Sequence, residues 1–140
     1  MTTINAYINF DGNCREAMDF YKECLGGELT IQTVGGSPME SHSSPEMKDL
    51  LLHSSLMQDG LLIMGSDMQK PGGFTKGDNI ALSINCGSEE EINQFFNNLS
   101  KGGKIVHPLK MEFWGALFGV LTDKFGIRWI LNFNKNQKVN

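Results

Sequence analysis

A chain of 140 residues, 40% hydrophobic and 20% charged, suffices for one compact domain or two small modules sharing a core. The formal charge of −4, with no Lys/Arg block to offset it, argues against a nucleic-acid or anionic-membrane partner. No stretch reaches the apolar length of a membrane span and the start lacks a signal-peptide layout, so a cytoplasmic protein is expected.

Along the chain, Ala6 to Phe10 reads as a strand. Asn13, with Glu16 three residues later, matches a capping box and opens a helix. Helical spacing puts Cys14, Ala17, Met18, Tyr21, Cys24 and Leu25 on its inner face, and Gly26-Gly27 stops it. Cys14 falls in the first turn, where the helix dipole favours a thiolate, but it shares the apolar stripe and reads as a core residue. The three cysteines, Cys14, Cys24 and Cys86, form no CxxC pair and read as reduced thiols. Glu28 to Val34 is a second strand. Gly35 to Met47, rich in Gly, Ser and Pro, reads as a mobile loop. Asp49 to Gln58 and Leu61 to Ser66 flank Asp59-Gly60, a strong hairpin signal.

Beyond a polar connector over 67–78, the pattern begins again. Asn79 to Asn85 is a strand, and Ser88 with Glu91 opens a helix whose inner face carries Ile92, Phe95, Phe96 and Leu99 before Gly102-Gly103. Lys104 to Leu109, Ala116 to Thr122 and Ile127 to Phe133 follow as strands, with Asp123-Lys124-Phe125-Gly126 as the last turn and a polar, frayed tail after Asn134. The chain is therefore predicted to be α+β, a single domain over 1–140 made of two βαβββ modules at 4–66 and 78–134.

Particular residues carry a family resemblance: Phe10-x-Gly12-Asn13, Phe20-Tyr21 with Leu25-Gly26, His53, Phe113-Trp114-Gly115, Phe118-Gly119, and Asp123-x-Phe125-Gly126-x-x-Trp129. With them, and from about Ile4 to Phe133, the chain resembles the PhnB-like branch of the vicinal oxygen chelate superfamily, which includes glyoxalase I, extradiol dioxygenases and the fosfomycin and bleomycin resistance proteins. The resemblance implies a curved mixed sheet forming a half-barrel around a cavity, helices outside, and a homodimer.

Metal-dependent members of that superfamily hold a divalent ion with His, Glu or Gln from four strand positions. Carried over by the motifs, these positions fall at Ala6, His53, Asn79 and Ile130. Only His53 is a good ligand, so no metal and no cofactor are expected. Strand alternation places Leu51, His53, Ser55 and Met57 on one face, Asn79, Ala81, Ser83 and Asn85 on another, and Arg128, Ile130 and Asn132 on a third. The expected cavity-lining set is His53, Ser55, Met57, Asn79, Ser83, Trp114, Arg128 and Asn132, with His53 the candidate acid/base. Trp114 reads as a lid or a dimer contact, His42 as a surface residue and His107 as structural.

The reading that follows is a metal-free protein binding a small organic molecule. Its alternatives are a glyoxalase- or dioxygenase-type metalloenzyme, an antibiotic-sequestering protein, and an interaction module whose cavity is filled by Phe10, Met57, Phe113 and Trp114. No nucleophile elbow, P-loop or dinucleotide fingerprint is present.

Overall fold

The computed structural model describes residues 1–68 and 73–135. The chain divides into two compact units, Met1–Lys76 and Gly77–Asn140. The first contains β1 (Ala6–Asn9), α1 (Cys14–Leu25), β2 (Glu28–Thr33), β3 (Leu51–Gln58) and β4 (Leu61–Ser66). The second contains β5 (Leu82–Asn85), α2 (Glu89–Ser100), β6 (Lys104–Met111), β7 (Ala116–Thr122) and β8 (Arg128–Asn134). The class is α+β, and each unit runs β-α-β-β-β.

The strands hydrogen-bond as two four-stranded mixed sheets of matching topology, β1-β4-β3-β2 and β5-β8-β7-β6, neither of them closed. In each, the opening strand pairs parallel with the closing one and the rest pair antiparallel. The registers can be laid row on row. Tyr7–Met64–Ser55–Thr30 in the first sheet matches Ser83–Ile130–Val120–His107 in the second. Ala6 thus corresponds to Leu82, not to Asn79, which lies in a bend three residues before β5 and is exposed. Asn79 follows Asp78 and precedes an exposed Ile80, and such Asp-Asn pairs bond their own backbone in turns more readily than they join a ladder.

One helix covers one face of each sheet. The inner face of α1 buries Met18, Tyr21 and Leu25, and that of α2 buries Ile92, Phe96 and Leu99. Each such side chain contributes about 1.5–3 kcal/mol relative to exposure. Phe95, expected inside, is only partly buried. The helices approach closely because a glycine lies beneath each: a Cβ on Gly65 would meet Phe10, Cys14 and Met18 at 3.1–3.2 Å, and one on Gly119 would meet Phe96 at 2.6 Å. The paired Gly-Gly stops have a similar cause. A side chain on Gly27 or Gly103 would run into the backbone of Met57 or of Thr122 and Asp123.

The capping of the two helices differs. Ser88 Oγ accepts the Glu91 N–H at 3.0 Å, and Glu91 Oε1 accepts the Gly87 N–H at 3.0 Å, so α2 starts as its sequence implies. Asn13 makes no side-chain cap. The free N–H of Cys14 donates instead to Asp67 Oδ1 at 2.9 Å, while Oδ2 of the same buried carboxylate accepts the Leu51 N–H at 2.8 Å. The long-range anion satisfies the helix terminus better than the local amide, since charge-assisted bonds are the stronger ones.

One other expectation is corrected. Gln32 pairs with His53 but Thr33 pairs with Leu51, so Leu52 is an extra residue that reverses the alternation. Leu51 is fully buried, like Ser54 and Leu56, and does not share the face of His53. The loop over 35–47 contains two short 3-10 turns, Glu40–His42 and Pro45–Met47, and Gly35 N–H donates to Lys48 O at 2.8 Å. The tail after Asn134 is described only at Lys135, which pairs with Glu89 at 3.2 Å; residues 136–140 lie outside the described residues, as do 69–72 of the connector.

Candidate functional site

The face of the first sheet away from α1 carries Tyr7, Met64, His53, Ser55 and Met57. Ser55 lies beside Met64, and Met64 beside Tyr7, so three neighbouring strands bring these side chains together. Tyr7 Oη stands 3.3 Å from His53 Nδ1, with ring centroids 5.8 Å apart. Tyr7 and His53 are both exposed, and Ser55 is half-buried. In the arrangement where the phenol hydroxyl donates to Nδ1, a neutral imidazole carries its hydrogen on Nε2. His53, Ser55 and Met57 lie where strand alternation put them; Tyr7 escaped the sequence reading. Nothing in a sequence says that β1 pairs with β4 and so comes within reach of β3.

On the second sheet, the face away from α2 carries Ser83, Arg128 and Asn132. Ser83 pairs with Ile130, and Asn132 lies between Asn85 and Phe118. Arg128 is exposed at the start of β8, opposite Thr122. Trp114 sits at the tip of the β6–β7 hairpin, where Glu112 N–H donates to Ala116 O at 2.8 Å and Gly115 N–H to Glu112 O at 3.0 Å. It is half-exposed and packs edge-on against Phe118 at 5.7 Å. Beside it stand two residues that the sequence did not single out for a site, His107 and Glu112, 3.1 Å apart. Asn79 joins neither group. His42 is exposed, as expected, and Phe10 is buried under α1 rather than filling a cavity.

The buried thiols are unreactive by environment. Burial pushes Cys14 up to about 11, against a partial lowering by its contact with Ser54 Oγ at 3.5 Å. Burial, with the Glu91 carboxylate nearby, pushes Cys86 up to about 12. The helix-dipole lowering considered for Cys14 is therefore overridden.

The residues at the superfamily's metal positions do not fit a divalent ion. Ala6 and Ile130 have no donor atom, and Leu82, which the register sets opposite Ala6, has none either. Among the described residues, no three His, Cys, Asp or Glu side chains gather as a metal site.

Two βαβββ units, each with a helix on one sheet face and polar groups on the other, define a glyoxalase-like fold. A glyoxalase-related enzyme from Fulvimarina pelagi has that fold, at 16% identity and a TM-score of 0.65 over 100% of this chain and 94% of its own. Protein PA1353 from Pseudomonas aeruginosa is 34% identical, with a TM-score of 0.84 over 96% of this chain and 98% of its own. A PhnB protein from Bacillus cereus, a putative 3-demethylubiquinone-9 3-methyltransferase, is 27% identical, with a TM-score of 0.73 over 94% of this chain and 99% of its own. The family model described as 3-demethylubiquinone-9 3-methyltransferase matches residues 2–132, and the chain belongs to this PhnB-like family. No helix among the described residues is long and apolar enough to cross a membrane.

Proposed function

We propose that this chain is a homodimeric cytoplasmic protein that binds a small organic molecule on the helix-free face of its first sheet, without a metal ion. The observation that supports the reading is the Tyr7–His53 pair, 3.3 Å apart and open to solvent among Met57, Met64 and Ser55. With the phenol hydroxyl donating to Nδ1, the pair offers a ligand one donor, Nε2–H, and one acceptor, the phenol oxygen. The two methionines supply apolar walls that adapt to shape, and few polar groups in apolar walls are the usual make-up of a small-molecule site. Should the ligand react, His53 is the group placed to exchange a proton with it. Ser83, Asn132 and Arg128 extend the polar inventory on the second sheet. The family description names methyl transfer, but the sequence has no glycine-rich turn between strand and helix to seat a nucleotide-like methyl donor, so binding is the better-supported reading.

A thermal-shift screen over a metabolite and antibiotic panel tests the site. A compound that raises the melting temperature should lose that effect in His53→Ala and most of it in Tyr7→Phe. Full retention in both variants would sink the assignment. Elemental analysis of protein purified without chelator tests the rest of the reading: stoichiometric nickel, zinc, iron or manganese would overturn the metal-free reading.

A further inference from the structure

The tip of the second unit holds a carboxylate whose surroundings the fold does not account for. Glu112 Oε1 is buried and accepts no hydrogen bond. His107 Nε2 is 3.1 Å away but off the hydrogen-bonding direction, and the other ring nitrogen is engaged with Pro108 O at 2.9 Å. When the ring is neutral with its hydrogen on Nδ1, Nε2 is a second acceptor beside the carboxylate oxygen and the pair together calls for a donor; a protonated ring is itself the ion-pair partner of Glu112. No lysine or arginine among the described residues provides one, although Lys110 shares the register row of Phe118. Buried acceptors left unmade are costly, and charged ones more so.

His107, beside the carboxylate, borders an aromatic wall. His107 meets Phe118 at 5.4 Å and 75°, Phe118 meets Trp114 at 5.7 Å and 73°, and Trp114 meets Phe113 at 4.9 Å and 87°. Phe113 is 95% exposed, so ring surface at the tip remains uncovered. Aromatic faces attract cations, and an ammonium N–H on a carboxylate makes a charge-assisted bond.

We infer that the β6–β7 hairpin carries a subsite for an organic ammonium group, with Glu112 as its counter-ion and Trp114 and Phe118 as its walls. An amine attached to a short apolar or aromatic body fits this chemistry; a carboxylate or phosphate does not, because Glu112 repels it. The subsite uses none of the groups of the Tyr7–His53 site, and either stands if the other fails.

The test is a titration of the full-length, nitrogen-15-labelled protein with phenethylammonium, and separately with phenylacetate and 2-phenylethanol, which keep the shape and change the charge. The amine alone should move the Trp114 indole and Gly115 amide signals saturably, leaving the Trp129 indole in place. Glu112→Gln should weaken that binding by about tenfold or more. Binding of the alcohol or the acid as tight as that of the amine overturns the subsite, and so does the absence of a saturable shift with the amine. Equal amine affinity in Glu112→Gln does the same. The comparison of the three probes needs no variant, so it decides even if Glu112→Gln fails to fold.

Discussion

Tyr7 and His53 are 46 positions apart in sequence, yet their side chains meet at 3.3 Å because β4 lies between their strands and presents Met64 to both sides. The contact is at the surface, so it orients rather than stabilises. Tyr7→Phe should therefore change folding stability by less than about 0.5 kcal/mol. The ring-nitrogen signals of His53 should move from a single tautomer toward a mixture in the variant. Unchanged signals would remove Tyr7 from the site.

Asp67 is the opposite case, a buried carboxylate accepting the N–H groups of Cys14 and Leu51. Asp67→Ala leaves both donors without an acceptor and should cost about 3 kcal/mol or more. Asp67→Asn keeps one acceptor oxygen and should cost less. Urea unfolding measures both, and equal losses would show that the charge and the second oxygen are immaterial.

Packing under the helices sets a third expectation. Gly65→Ala and Gly119→Ala each push a methyl group into a filled space, at a cost of about 1–3 kcal/mol. Gly119→Ala should be the worse, since its Cβ would approach the buried Phe96 ring to 2.6 Å against 3.1 Å for the nearest contact at Gly65. The reverse order in urea melts would mean that α2 shifts more easily than α1.

Alkaline pH should expose the buried thiols. Cys14 at about 11 and Cys86 at about 12 hold their protons more tightly when folded than at the ordinary value of 9.0. Their contribution to stability is fully present below about pH 9 and is lost as pH rises through the folded values. Unfolding free energy should accordingly fall above about pH 9, and Cys86→Ala should flatten part of that fall. A slope identical in the variant would assign the loss to other groups. At neutral pH, iodoacetamide should modify these cysteines slowly unless the protein unfolds.

Local patterns carried most of the fold. The 3.6-residue stripe from Cys14 to Leu25, the Asp59-Gly60 hairpin and the Ser88–Glu91 cap stand in the structure as the residues implied. What escaped were effects of residues distant in sequence. Asn13 has the right chemistry for a cap, but Asp67, 53 residues from Cys14, serves the helix instead. Strand alternation failed at Leu51 because a bulge is set by partner registers, which a single strand does not record. The candidate site divides along the same line. His53, Ser55 and Met57 followed from alternation within β3, whereas Tyr7, His107 and Glu112 acquire meaning only from cross-strand neighbours. Asn79 looked like a strand residue because it precedes an apolar run, but the ladder begins only at Leu82.

The two helix caps carry a consequence for how the protein is made and cut. Helix α2 closes its own first turn with residues 87–91, available as soon as that stretch leaves the ribosome. Helix α1 waits for a residue synthesised after the whole first sheet, so the first half completes its terminus last although it emerges first. A fragment excised at Ser66 keeps every strand of that half and still loses the anchor of its helix. A separately expressed first half must run past Asp67.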